Sequence, residues 1–313
     1  MNTTNINILC ATDDNYVPYC GIMLTSLLMN NQGEKVHVYI MVEDDLSVRN
    51  RKRFAKLANT YGATIEYVKV DRSLFEKYPT RNMAYWSLAM YYRILAAELL
   101  PTDVEKVLYL DCDIIVTKSI RDLYDTDLTG KALGVVLDVF LHEDEVYERL
   151  QYPIKDGYFN SGVLLMNLKY WRENNSIDAC MQYLTEHYES LQANDQDLLN
   201  AVLHDKTVEM PLTCNYQIQF LKSNFYESLV DYRQEINRTR DEGPMVIHYA
   251  YPIKPWSVMY YRMPYKRIWL TYKWKSQWWY KLPELPKRKT INYLVKRFVL
   301  WPLGIMYQKE YID

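Results

Sequence analysis

INILCA at Ile6–Ala11, VHVYIMV at Val36–Val42 and TIEYVKV at Thr64–Val70 are three short apolar runs, bounded by turn residues and separated by segments of helical character. Apolar runs of this length bounded by turns read as buried strands. Between them, Gly21 to Met29 and Ser47 to Tyr61 read as helices. A β-α-β-α-β alternation predicts an α/β fold with a mainly parallel sheet covered by helices on both faces. Ligands of such sheets bind beyond the carboxyl ends of the strands, so the loops that follow strands carry the residues of interest.

Further along, Met90 to Leu100 predicts a helix that stops at Pro101, and Lys106 to Leu110 (KVLYL) a strand that runs directly into Asp111-Cys112-Asp113. Leu133 to Leu137 and Gly162 to Asn167 are further strand candidates, and Ile177 to Leu191 and Asp195 to Leu203 read as helices. No internal repeat or Gly/Ser linker interrupts this order. The expected division is a catalytic domain over 1–257 and a C-terminal appendage over 258–313.

The 313 residues suffice for a sizeable core, and 49% hydrophobic with 24% charged residues excludes long disorder. The cysteines Cys10, Cys20, Cys112, Cys180 and Cys214 are scattered, with no C-x-x-C pair, which argues against a disulfide framework or zinc knuckle and for a reducing cytoplasm. The first residues lack the basic and apolar regions of a signal peptide, and no window reaches the roughly 18 apolar residues of a spanning helix. The net charge of −2 hides an asymmetry: residues 258–313 carry twelve bases and three acids, so the remainder is strongly acidic. Opposite signs on two parts of one chain point to different partners.

Asp111 and Asp113 stand at i and i+2 after an apolar strand. In extended backbone both project to one side, where they can reach one hard cation that also holds a nucleotide diphosphate. Two like charges there repel unless a cation or donors offset them. His248 ends another apolar run, with Lys254 six residues on. A neutral imidazole can complete a metal's coordination, and a lysine can neutralise phosphate charge on a leaving group.

In this order, Ala11-Thr12-Asp13-Asp14-Asn15-Tyr16, Arg93 within Tyr91–Leu95, Asp111-x-Asp113, Phe159-Asn160-Ser161-Gly162-Val163, Asn194-Asp195-Gln196-Asp197 and His248 with Lys254-Pro255-Trp256 resemble family-8 glycosyltransferases. The resemblance covers roughly residues 6 to 256. It implies a GT-A fold and a retaining transfer of glucose or galactose from a UDP-sugar to a glycan or glycolipid acceptor, lipopolysaccharide among them. By the same resemblance, Ala11, Asp13, Asn15 and Tyr16 hold the uridine, Thr12 lies in the donor site, and Asp111, Asp113 and His248 bind Mn2+, with Mg2+ as the alternative. Arg93, Asn160, Asp195 and Gln196 surround the sugar, Arg93, Asp195 and Gln196 as the catalytic set. Cys112 lines the donor site and Lys254 meets the diphosphate. Tyr251 departs from the pattern, since bacterial members commonly carry glycine there.

From Tyr260 to Tyr307 bases alternate with large rings, among them Tyr272-Lys273-Trp274-Lys275 and Trp278-Trp279-Tyr280-Lys281. Bases favour anionic headgroups, and Trp and Tyr settle at bilayer interfaces. The expectation is a peripheral protein on the cytoplasmic face of a membrane. No nucleic-acid motif accompanies the bases. A catalytically silent nucleotide-sugar binder and a self-glycosylating protein are the competing readings.

Overall fold

The computed structural model describes residues 5–75, 88–250, 252–257 and 263–284. Seven strands build its main sheet: β1 (Ile6–Ala11), β2 (Val36–Val42), β3 (Thr64–Lys69), β4 (Lys106–Leu110), β6 (Leu133–Leu137), β7 (Phe159–Asn167) and β8 (Thr207–Glu209). The remaining strands, β5 (Ile114–Val116), β9 (Tyr216–Gln217) and β10 (Val246–His248), form a small second sheet. The main order is β3-β2-β1-β4-β7-β6-β8, with β7 antiparallel to both its neighbours and the other pairings parallel. The chain builds outward from β1 to β3, then returns to place β4 on the other side of β1. Ligands of such sheets bind at a reversal of this kind, beyond the carboxyl ends of the strands, here β1 and β4.

Alternation along the strands makes two cores. Ile6, Ile8 and Cys10 of β1 join Val36, Val38, Ile40 and Val42 of β2 on one face, while Leu9 joins Tyr39 and Met41 on the other. Helix Val17–Asn30 has Pro18 in its first turn and is buried from Val17 through Leu28. Helix Val48–Tyr61 starts where the Ser47 hydroxyl accepts from Asn50 N and ends at Gly62 in left-handed conformation.

Two local expectations need correction. The segment before Pro101 is a 3-10 turn over Leu88–Leu95 followed by a short α-helix, Ala96–Leu99. In 3-10 winding, side chains at i and i+3 eclipse, and Arg93 Nε reaches back to the Met90 carbonyl at 3.0 Å. Strand β7 begins at Phe159 rather than Gly162, because Phe159 and Asn160 pair with Leu137 and Val136 past a break in the β6–β7 register, where the extra residues lie on β7.

The C-terminal segment packs onto the body. Helix Lys266–Lys275 lies against helix Val17–Asn30, and Trp269 and Trp278, read from sequence with the interfacial rings, are core residues. Trp278 sits directly over Gly21, where an added Cβ would lie 2.0 Å from the indole. Ser257 bridges to Glu284, and the Glu284 carboxylate accepts from the Tyr19 hydroxyl at 2.5 Å. Trp274, Trp279 and Leu282 remain exposed. The bases and rings of 285–313, and Tyr251, lie outside the described residues.

Candidate active site

Strand pairing brings the acidic pair and the histidine together. Asp111 N donates to Gly162 O at 2.9 Å, anchoring the chain where it leaves β4. After Asp113 the chain enters β5, which pairs antiparallel with β10 so that His248 opposes Ile114. Tyr249 N then donates to the Asp113 carbonyl at 3.0 Å. As a result, ligand atoms of Asp111, Asp113 and His248 lie within 4.8 Å of one another. His248 Nε2 stands 3.3 Å from Asp113 Oδ1 and 4.0 Å from Asp111 Oδ2.

The imidazole tautomer follows from a chain of hydrogen bonds anchored on the main chain. Gly162 N can only donate, and does so to Asn160 Oδ1 at 3.0 Å. That oxygen also accepts from Asn215 Nδ2 at 2.9 Å, which turns Asn215 Oδ1 toward His248 Nδ1, likewise at 2.9 Å. Nδ1 therefore carries the proton and Nε2 presents its lone pair to the carboxylates. Gly162 is required by packing: a Cβ there would lie 2.2 Å from His248 Cε1 and 2.8 Å from Asp111 Oδ2.

Two carboxylates and one imidazole nitrogen make a donor set suited to Mn2+ or Mg2+. The residues fit a divalent cation in a further respect. Burial would raise the Asp113 carboxyl, yet the Lys254 ammonium, with Nζ 2.6 Å from Oδ2, holds it well below the usual carboxylate range. The acid is thus ionised and ready to ligate. Lys254 also donates to the Tyr249 carbonyl at 3.0 Å, which fixes its ammonium beside the acids.

A second cluster adjoins the first through Arg93. Its guanidinium is buried, donates to Asp111 Oδ1 at 3.0 Å and to the Ser161 carbonyl, and lies 4.0 Å from the Tyr109 ring centroid. Arg93 Nε is also 3.2 Å from Asp195 Oδ2, an ion pair without hydrogen-bond alignment, since that oxygen is buried with no hydrogen-bond partner among the described residues. Burial pushes the Asp195 carboxyl up to about 6, partly countered by Arg93. Next to it, Gln196 Oε1 accepts from Ser161 N and from Asn160 Nδ2, both at 3.1 Å, and its Nε2 donates to Asp138 Oδ2 at 3.3 Å. Asp138 accepts further bonds from Asn160 Nδ2 and Phe140 N, while burial raises its carboxyl.

The β1 loop forms the remaining wall. Asp13 Oδ1 accepts from Tyr16 N at 2.7 Å, and its carbonyl accepts from Val17 N and the Thr12 hydroxyl, so the loop is fixed onto the helix that follows. Asp14 is tied instead to Ser47 and Asn50. Asn15 is exposed, and the partly exposed Tyr16 ring lies edge-on to Tyr19 and to Trp256. The Cys112 thiol is turned inward to the Ala11 carbonyl at 3.3 Å. Asp197 is structural, accepting from Tyr158, Arg149 and the main chain at Gln192 and Ala193.

Sequence reasoning missed Asn215, Asp138 and the packing role of Gly162. Asn215 sits in a 3-10 turn, Leu212–Asn215, where no motif flags it. Only its full burial, with both amide atoms engaged, marks it.

Comparison with known proteins bears on family and fold. The family model for glycosyl transferase family 8 matches residues 7–259. General stress protein A of Bacillus subtilis is 28% identical over 277 residues, covering 87% of this chain and 94% of that protein. A lipopolysaccharide 1,2-glucosyltransferase of Escherichia coli K12 is 29% identical, covering 84% and 78%. The crystal structure of the galactosyltransferase LgtC with donor and acceptor sugar analogs superposes with a TM-score of 0.75 at 25% identity, covering 89% of this chain and 98% of that one. The mixed sheet with its flanking helices is the GT-A fold, and the chain belongs to glycosyl transferase family 8.

Proposed function

We propose that this enzyme transfers a hexose, glucose or galactose, from a UDP-sugar to a glycan acceptor with retention at the anomeric carbon. The observation that carries the reading is the contiguity of two clusters. The set Asp111, Asp113 and His248 joins the buried Arg93, Asp195, Gln196 and Asn160 through one Arg93 guanidinium. Both a glucosyltransferase and a galactosyltransferase are among the similar proteins, which supports a hexosyl donor.

Asp111, Asp113 and His248 would hold Mn2+ or Mg2+, and the bound cation would offset the diphosphate charge that grows as UDP departs. Lys254 adds a fixed positive charge in the same place. The β1 loop, from Ala11 to Tyr16, receives the uridine, with the Asp13 carboxylate able to accept from the uracil N–H. Arg93 orients sugar hydroxyls while keeping Asp111 in register.

Gln196 positions rather than attacks. Its carbonyl oxygen already accepts two N–H groups, and an amide is a weak nucleophile. That favours departure and attack on the same face of the sugar over a covalent intermediate. Asp195, held beside Arg93, lends negative charge to the developing oxocarbenium ion.

The basic and aromatic C-terminal region places the enzyme on an anionic membrane surface, near a lipid-linked or lipopolysaccharide acceptor. No helix among the described residues is long and apolar enough to cross a membrane. The test is UDP release from a panel of UDP-sugars with a bacterial glycolipid extract as acceptor, followed by assignment of the product anomer by NMR. Turnover with retained configuration supports the reading. Binding of UDP-sugars without release would assign the chain as a silent binder, and label on the protein itself would make it self-glycosylating.

A further inference from the structure

Helix Val48–Tyr61 reads VRNRKRFAKLANTY, with five bases and no acid. Phe54, Leu57 and Ala58 turn one face inward. Arg49, Lys52, Arg53 and Lys56 recur at i, i+3, i+4 and i+7, so they share another face. Arg49, Lys52 and Lys56 are exposed and Arg53 is half-buried. The neighbouring acid Asp45 pairs with Arg51 and Lys69.

This basic stripe continues into the C-terminal rings. Arg53 and Arg49 lie 4.5 and 5.5 Å from the centroid of the Tyr280 ring, although Arg53 and Tyr280 are 227 residues apart in sequence. Tyr280 is 6.0 Å from Trp279, and Trp279 is stacked 6.5 Å from Trp274. Trp274 is 63% exposed and Trp279 55%, although tryptophan is highly buried on average. Beneath them, Trp278 packs against Phe54 with centroids 5.1 Å apart, which locks the two segments into one surface.

Exposed indoles beside an unbalanced row of lysine and arginine match an anionic bilayer interface, where rings settle at headgroup depth and bases meet lipid phosphates. We propose that this two-part face, the Arg49–Lys56 stripe with Trp274, Trp279 and Tyr280, is the surface on which the protein sits on an anionic membrane. The inference rests on the membrane reading above and goes beyond it, because it makes a helix of the N-terminal half an equal part of the contact. The face also adjoins the donor loop: Lys281 Nζ lies 5.9 Å from the Tyr19 ring, which is 5.1 Å from Tyr16.

The test is co-sedimentation of the full chain with phosphatidylcholine vesicles, with and without phosphatidylglycerol. It compares wild type with the triple variant Arg49→Gln, Lys52→Gln, Lys56→Gln and the double variant Trp274→Ser, Trp279→Ser. Arg53 is kept, since it holds Tyr280. Wild type is expected to bind only the anionic vesicles, and the triple variant to bind at least about tenfold more weakly, with UDP-sugar turnover on a soluble acceptor unchanged. A triple variant that binds as tightly as wild type overturns the inference and leaves the contact to the C-terminal residues alone. If wild type ignores anionic vesicles, the membrane reading itself is wrong.

Discussion

His248 Nδ1 and Asn215 Oδ1 stand 2.9 Å apart in a fully buried contact, and this one bond decides which imidazole nitrogen faces Asp111 and Asp113. Groups that orient a ligating histidine typically contribute about 10–100-fold to metal affinity. Asn215→Ala is therefore expected to weaken Mn2+ binding by that order, measured by calorimetric titration, while far-UV circular dichroism stays unchanged. Asn215→Ser should recover part of the loss. Undiminished affinity in the alanine variant would remove Asn215 from the site.

Gly162 leaves no room for a methyl group between His248 and Asp111. Gly162→Ala should push the imidazole off the acids and reduce turnover by two orders of magnitude or more, with a modest change in melting temperature. The readout is kcat at saturating donor together with Mn2+ affinity. Activity near wild type would mean that the site relaxes around the methyl at little cost.

Asp195 makes stability depend on pH. Its carboxyl lies at about 6 in the folded protein against an ordinary 3.8. Below about pH 4 the group is protonated in both folded and unfolded chains and costs nothing. As pH rises through 6 the folded protein must ionise it in a buried place, and the stability held at low pH is lost. Asp195→Asn should thus unfold later than wild type at pH 7.5, by roughly 3 kcal/mol in denaturant titration, and the gap should close toward pH 4. Turnover should fall sharply in the same variant. An advantage that does not vary with pH would contradict the assignment.

Trp278 closes the core over Gly21 and Phe54. Trp278→Ala should cost about 3–5 kcal/mol, the range for deleting a buried aromatic side chain, measured as a shift in denaturation midpoint. If residues 263–284 were an independent appendage, the body would unfold unchanged.

Strands and helices were readable from sequence where burial is complete. The runs at Ile6–Ala11, Val36–Val42 and Lys106–Leu110 are strands at the expected boundaries, because their residues alternate between two apolar cores. Asp195–Leu203 also forms as expected. Less legible were segments whose form is set by distant partners. Asn160 extends β7 because Gly162, Asn215, Asp138 and Gln196 satisfy its amide, and no local pattern encodes those partners. Likewise, Trp278 and Trp279 are adjacent in sequence and alike in chemistry, yet one fills the space over Gly21 and the other faces solvent. The donor and metal motifs were legible as types and spacing, while the bond that fixes the His248 tautomer depends on a turn far from either motif.

The most direct test of the central claim compares UDP release by wild type and Asp113→Ala, with acceptor present, before and after removal of divalent cations by chelation. Wild type should release UDP only with Mn2+ or Mg2+ restored, and Asp113→Ala should remain inactive at any concentration of either ion. Release that survives chelation, or that persists in Asp113→Ala, would contradict a catalytic metal centre at Asp111, Asp113 and His248.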